Sequence, residues 1–159
     1  MKWGFALLLL AAAWALVTMW DAGTGAWAPY TVLYFLDLPQ SLYVLLPAWL
    51  ASVVLHGWGV LASGIALALG LRSGAEKDDL VKGGRALLWL GQAALWNGAA
   101  VTLIEAVISA HNAASIAEFL PALGVSLLAF FYGLLIRIVC GLGVQVIKVR
   151  LGPFVFYSE

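Results

Sequence analysis

The sequence has few charged residues, one cysteine and two histidines, and each scarcity excludes a class of protein. Charged residues make up 10% of the 159 residues and the formal net charge is zero, so no basic surface predicts binding to nucleic acid. Cys140 is the only cysteine, which excludes a disulfide or a cysteine-ligated metal site within one chain. His56 and His111 belong to no metal-ligand or catalytic motif. The sequence therefore predicts neither an enzyme nor a resident cofactor.

Apolar residues dominate what is present. They are 64% of the chain, with a mean hydropathy of +1.02, and they fall in runs that reach the roughly 20 residues needed to span a bilayer as a helix. These values predict an integral membrane protein, an all-α bundle that forms one transmembrane domain over residues 1–159. We expect four spans, at about 3–20, 41–70, 86–111 and 119–147.

The segments between these spans predict the orientation. Residues 21–40 and 112–118 are the expected outer loops, and residues 71–85 hold seven of the sixteen formal charges and are the expected cytoplasmic loop. Seven of the eight basic residues fall on the side of that loop, which predicts that both termini are cytoplasmic. A cleaved signal peptide is the alternative for the first span, because small residues follow it at 24–26.

The second span contains two candidates for special roles. Pro47 lies early in it, where a proline can kink a helix. His56 lies about halfway along it and is interpreted either as a packing residue or as part of a proton relay.

A stripe of small and polar residues marks the third span. Its members are spaced by four, three, four and three residues and therefore share one helix face. They are Gly98, Thr102, Glu105, Ser109 and Asn112. Such a stripe has two interpretations: close packing of helices, with hydroxyl groups bonding across the contact, or a path for an ion.

Glu105 favours the second interpretation, because a charged residue at mid-membrane costs about 2.5–3.5 kcal/mol. It is either a neutral acid bonded to a neighbouring helix or a carboxyl that gains and loses a proton. Counting from the outer turn places Thr102 level with Ala129 and Glu105 level with Ser126. Arg137 lies roughly 16 Å deeper, so we expect no salt bridge to Glu105. Arg137 instead snorkels to the cytoplasm or lines an inner vestibule.

Three segments in register resemble the MotA/TolQ/ExbB family of ion-driven membrane motors. FLDLPQSLYVL, residues 35–45, is similar to the F-I-D-P-P-S-L-L-I-V-L segment that opens the second helix of MotA-type stator proteins. WNGAAVTLIEA, residues 96–106, resembles the third-helix pattern A-P-x-x-G-x-x-G-T-x-x-G, with Gly98 and Thr102 in place. LAFFYGLLI, residues 128–136, resembles the fourth-helix pattern L-T-T-L-Y-G-L-L-x, with Tyr132 and Gly133 in place.

The chain also departs from the family pattern. Leu95 replaces the proline of the third-helix pattern and Glu105 replaces its later glycine. Ala129 and Phe130 replace the two threonines that help to line the ion route in the family. The large cytoplasmic insert that touches the flagellar rotor is reduced to residues 71–85, so we do not expect this chain to drive a flagellar rotor by that contact.

The resemblance implies a function, partners and a location. It implies a pentameric ring in the bacterial inner membrane, around a dimer of single-span partners like MotB, ExbD or TolR, that couples a flow of protons or sodium ions to force. The expected ion-pathway residues are Gly98, Thr102, Glu105, Ser109, Ser126, Ala129 and Tyr132. Arg137 and Asn97 are the expected residues of an inner vestibule.

Two other functions are weighed against the motor. A non-conducting membrane scaffold would keep the ring and lose the ion path, as the missing threonines suggest. A solute transporter has less support, because the sequence shows no inverted repeat and no helix broken in mid-span.

Overall fold

The computed structural model describes residues 20–21, 26–27, 38–72 and 74–151. Apart from Trp20, the predicted first span lies outside these residues, as does most of the predicted loop 21–40. Residues 1–39 and 40–159 form separate compact units. In the first unit, β1 (Trp20–Asp21) pairs with β2 (Ala26–Trp27) in a two-residue antiparallel ladder.

The second unit is helical, which agrees with the predicted all-α class, whereas the two short strands of the first unit were not predicted. Its helices are α1 (Leu38–His56), α2 (Trp58–Ala68), α3 (Lys77–Asn112) and α4 (Ile116–Leu151). Two of them, α3 and α4, are long and apolar enough to cross a membrane, and there are three such spans if α1 and α2 count as one broken span. These helices identify the chain as a membrane protein.

Helix α3 begins nine residues before the predicted start, within the segment expected to be a loop. Asp78 and Asp79 lie in its first turn, where negative charge is favourable at a helix N-terminus. Lys82 forms an ion pair with Asp78 at 2.6 Å, one helical turn away. The charged residues of 77–85 thus lie on about the first two and a half turns of α3 instead of in a loop.

The turn between α3 and α4 is also shorter than the predicted loop 112–118. The Glu118 backbone N–H donates to Ser115 Oγ at 3.3 Å, and the Ala114 N–H donates to Glu118 Oε2 at 3.1 Å. This is a variant of the capping box, in which serine and glutamate side chains bond the free N–H groups of a helix start. Each of the two helices has 36 residues, about 54 Å, so both extend beyond a hydrocarbon layer of about 30 Å.

Glycines on α3 allow α4 to pack closely against it. Gly84, Gly91 and Gly98 are seven residues apart and so lie on one face of α3. A side chain on Gly91 would approach Cys140 Cβ at 2.9 Å, and one on Gly98 would approach the Ala129 carbonyl oxygen at 2.6 Å. The core of the hairpin is therefore a contact between two backbones with little side chain between them.

The second span is not one continuous helix. Gly57 separates α1 from α2 with φ of 84° and ψ of 147°, and the two helices are bent by 111°. That backbone conformation is essentially restricted to glycine. Pro47, where a kink was predicted, lies inside α1. The chain does contain a broken helix, so the argument against a transporter that rested on its absence is wrong.

Most of the apolar surface of the long helices is not covered by the described chain. Only 11% of the most apolar window of α3 and 22% of that of α4 is buried. Side chains such as Trp96, Leu103 and Val125 are more than half exposed. In water this much apolar surface would be unfavourable, so these faces require lipid or other chains.

Candidate functional site

Thr102 is inserted into the backbone of α4. Its hydroxyl donates to the Ser126 carbonyl oxygen at 2.9 Å and accepts from the Phe130 N–H at 3.0 Å. Ser126 and Phe130 are four residues apart, so that carbonyl and that N–H are partners in a regular helix. A side chain placed between them satisfies both groups and fixes the register of the hairpin. The predicted level of Thr102, close to Ala129, is confirmed.

Gly98 lies one turn before Thr102 and faces the same part of α4. Its missing side chain leaves room for the Ala129 carbonyl oxygen, and Gly133 leaves the same room for the Ala94 carbonyl oxygen, each 2.6 Å from the position that a Cβ would take. Ala129 is fully buried. Four of the predicted pathway residues, Gly98, Thr102, Ser126 and Ala129, therefore meet at one tightly packed contact.

Glu105 bonds with α1. The Gln40 side-chain amide donates to Glu105 Oε2 at 3.0 Å, and Gln40 is 6% exposed while Glu105 is half-buried. A carboxyl oxygen accepts such a bond in both its protonated and its ionised form. The pair therefore holds the Glu105 side chain in place whichever form is present.

Sequence analysis missed Gln40, which was assigned to the outer loop. The spacing of residues in α1 could have placed Gln40 on the buried face of this helix. Four buried residues of α1 follow one another at intervals of four and so share one face. They are Gln40, Val44, Ala48 and Ser52. The Ser52 hydroxyl donates to the Ala86 carbonyl oxygen at 3.2 Å, so this face bonds α3 at both ends.

Asn97, predicted as a vestibule residue, bonds the backbone of α1. Its Nδ2 atom donates to the carbonyl oxygens of Tyr43 at 2.7 Å and Val44 at 3.0 Å. Tyr43 lies four residues before Pro47, which has no N–H with which to complete the helical hydrogen bond to that carbonyl. Asn97 supplies the missing donor.

The other predicted pathway residues contribute differently. Ser126 Oγ donates to the Ala122 carbonyl oxygen of its own helix at 3.0 Å. Tyr132 is half-buried, with its ring centre 6.3 Å from that of Phe131. Ser109 is half-buried near the C-terminal end of α3.

Arg137 lies far from Glu105, as predicted. It packs beside Gly91, with its Cα and Cδ atoms each 3.3 Å from the position of a Cβ on that glycine. Gly91 and Glu105 are fourteen residues apart on α3, which is about 21 Å along the helix axis. At this distance Arg137 and Glu105 form no salt bridge, as expected.

His56 is the last residue of α1, next to the break at Gly57. Its ring centre lies 6.4 Å from that of Trp89, and its Nε2 atom is buried without a hydrogen-bond partner in the described part of the chain. The break is flanked by a contact between Trp49 and Trp58, whose ring centres are 5.4 Å apart. Trp89 is thus an aromatic neighbour of His56, and both interpretations of His56 remain predictions.

The described residues contain no group of three or more His, Cys, Asp or Glu side chains that would hold a metal ion. Comparison with protein-family models, with curated proteins and with solved structures finds no match to this chain.

Proposed function

We propose that this chain is the ring subunit of a proton-driven membrane complex of the MotA/TolQ/ExbB type, in which Glu105 exchanges protons. The hydrogen bond between Gln40 and Glu105 is the observation that carries the proposal, because it holds an acid at membrane depth in a fixed position. A purely structural contact between helices does not need an ionisable group there. The resemblance of residues 35–45, 96–106 and 128–136 to the family supplies the type of complex.

Two features of the surface support assembly with other chains. The long helices leave most of their apolar windows uncovered. Gly57, Trp58 and Gly59 are exposed at the helix break, and broken backbone within a bilayer is tolerated only where protein or water covers it. We propose a homo-oligomer, a pentamer by analogy with the family, around a dimer of single-span partners. The proposed location is a bacterial inner membrane, with both termini in the cytoplasm.

Proton flux tests the role of Glu105. The complex would be purified from its own membranes and reconstituted in liposomes that contain a pH-sensitive dye, and proton entry would be measured under an imposed potential. We expect Glu105→Gln to lower the flux at least about tenfold, as loss of a proton-exchanging group does, and Glu105→Asp to retain part of it. Glu76→Gln, which removes an exposed acid outside the stripe, is the matched control and should conduct normally. Equal flux in Glu105→Gln and the unaltered complex would remove Glu105 from the mechanism.

The alternative is a non-conducting scaffold, and the position of Thr102 favours it. The Thr102 hydroxyl donates its proton to one backbone group of α4 and accepts a bond from another, which leaves only one of its lone pairs for a passing ion. A scaffold would assemble with its partners and show no flux even when unaltered. Native mass spectrometry of the same sample separates a failure to assemble from a failure to conduct, since a ring with two copies of a single-span protein is expected in both hypotheses.

A further inference from the structure

Arg137 is a charged side chain without a counter-ion among the described residues. It is half-buried in α4, and in the part of the chain that the structure describes its guanidinium makes no hydrogen bond and no ion pair. A basic group inside a membrane span is unfavourable unless it reaches a partner or water. The side of the hairpin on which Arg137 lies therefore determines which kind of partner can reach its guanidinium.

On α4, Arg137 faces away from α2. Cys140 approaches Gly91 of α3 more closely than Arg137 does, and three residues rotate a helix by about 300°. Arg137 and Gly143 consequently lie about 60° to either side of Cys140. A side chain on Gly143 would meet Ala68 of α2 at 3.0 Å, so α2 covers that flank. Arg137 is on the flank that α2 leaves open.

On α3, Gln92 and Arg85 lie on the same open side of the hairpin. Gly83 packs on α2 and Asn97 bonds α1, and these two residues lie about 80° and 120° to one side of Gly91. Gln92 and Arg85 lie about 100° and 120° to its other side. Because Gly91 is opposite Cys140 and Arg137, Gln92 lies close to the level of Arg137.

These residues define a groove that runs towards the charged end of the hairpin. Arg85 lies about 10 Å beyond Gln92, and Lys148 lies about 16 Å beyond Arg137, in the same direction. A side chain on Gly141, one turn beyond Arg137, would have no atom of the described residues within 4 Å, so these residues leave space there. We call Arg85, Gln92, Arg137 and Lys148 the basic groove.

We propose that the basic groove binds the phosphate of an anionic phospholipid from the membrane leaflet next to the charged end. A guanidinium suits a phosphate, which it contacts through two parallel N–H groups, and its aliphatic stem lets it extend towards the headgroups. Leu88 and Leu134, exposed on the same flank, would contact the acyl chains. A net negative lipid is favoured because Arg137 carries a positive charge that no described residue neutralises through an ion pair.

Lipid selectivity of the purified complex tests this proposal. The complex would be reconstituted in vesicles with spin-labelled phosphatidylglycerol or spin-labelled phosphatidylcholine, and the immobilised fraction of each would be measured by electron paramagnetic resonance. We expect immobilisation to favour phosphatidylglycerol, and Arg137→Gln to lower this preference about fivefold, the effect of one basic residue near an anionic headgroup. Arg137→Lys should keep part of it, since the charge remains and the two-pronged contact does not.

Arg150→Gln is the matched control, because it removes the same charge from the same helix on the flank where Arg150 approaches Gly70 and bonds the Arg72 carbonyl oxygen. An equal loss of preference in Arg150→Gln would mean that only the overall charge attracts the lipid, which would overturn the site. No preference in the unaltered complex would also overturn it. Protection of Arg137 from a guanidine-modifying reagent only when a single-span partner is present would assign an acidic side chain as its counter-ion instead.

Discussion

The side-chain amide of Asn97 on α3 donates to the carbonyl oxygen of Tyr43 on α1 at 2.7 Å, and this bond exists because of a third residue. Pro47 leaves that carbonyl without its helical donor. In a membrane an unsatisfied carbonyl is costly, because no water replaces the missing donor. The proline of α1 and the asparagine of α3 are thus energetically coupled although they lie fifty residues apart in the chain.

This coupling gives the first prediction. Asn97→Leu should lower the free energy of unfolding by about 1 kcal/mol, the scale of a hydrogen bond between membrane helices. In a Pro47→Ala background the loss should be about half as large, because an alanine N–H can satisfy Tyr43. Reversible unfolding in mixed micelles of the four proteins of this double-mutant cycle measures it. Equal losses in both backgrounds would contradict the coupling.

The second prediction concerns the Thr102 hydroxyl. Thr102→Val keeps the shape of the side chain and removes the group that bonds both Ser126 and Phe130, so we expect a loss of about 1 kcal/mol in the free energy of unfolding. Thr102→Ser, which retains the hydroxyl, should lose less. Unfolding and proton flux should be measured on the same preparations. A loss of flux in Thr102→Val without a loss of stability would instead assign Thr102 to the ion path.

Much of the α3–α4 hairpin could be predicted from the sequence, because the spacing of residues along one helix determines which of them share a face. The spacing of Gly98, Thr102 and Glu105 predicted a shared face, and counting from the turn predicted the level of Thr102 correctly. The helix ends were less accurate, since 77–85 looked like a loop by charge alone. In residues 77–85, the acidic pair Asp78 and Asp79 and the four-residue spacing of Asp78 and Lys82 indicate a helix start, whereas the high content of charged residues suggested a loop.

The partners of the polar residues could not be predicted in the same way. Gln40 and Glu105 are 65 residues apart, and nothing local in either segment specifies that they meet. The break at Gly57 was missed for a similar reason. Glycine permits an unusual backbone conformation without requiring it, and several other glycines of this chain lie inside regular helices. A kink was predicted at Pro47 because proline leaves a helical carbonyl without its donor. Asn97 supplies that donor, and Pro47 lies within α1.

A third prediction tests the close contact of α3 and α4. Gly98→Ala would place a Cβ 2.6 Å from the Ala129 carbonyl oxygen, so the helices would have to separate. We expect a loss of about 1–3 kcal/mol in the free energy of unfolding, as for other overpacked cores. Gly124→Ala is the control on α4, because a Cβ there has no atom within 4 Å and should be neutral or stabilising. Similar behaviour of the two variants would show that the hairpin is looser than the structure indicates.

The last prediction concerns the break between α1 and α2. At Gly57 any other residue would occupy a backbone conformation that costs about 1–3 kcal/mol, whatever space surrounds it. Gly57→Ala should therefore destabilise the bent form and favour a straight helix over residues 38–68. Gly59→Ala is the matched control: it is two residues away, equally exposed and helical, and should leave the bend unchanged. Distances between spin labels placed on both sides of Gly57 would report the angle directly.

The same variant tests whether the break takes part in conduction. Because of the bend, the face of α1 that carries Gln40 and Ser52 is positioned independently of α2. If the break serves only packing, a straightened variant that retains the Gln40–Glu105 bond would still conduct. Loss of conduction with that bond intact would instead make the break part of the mechanism.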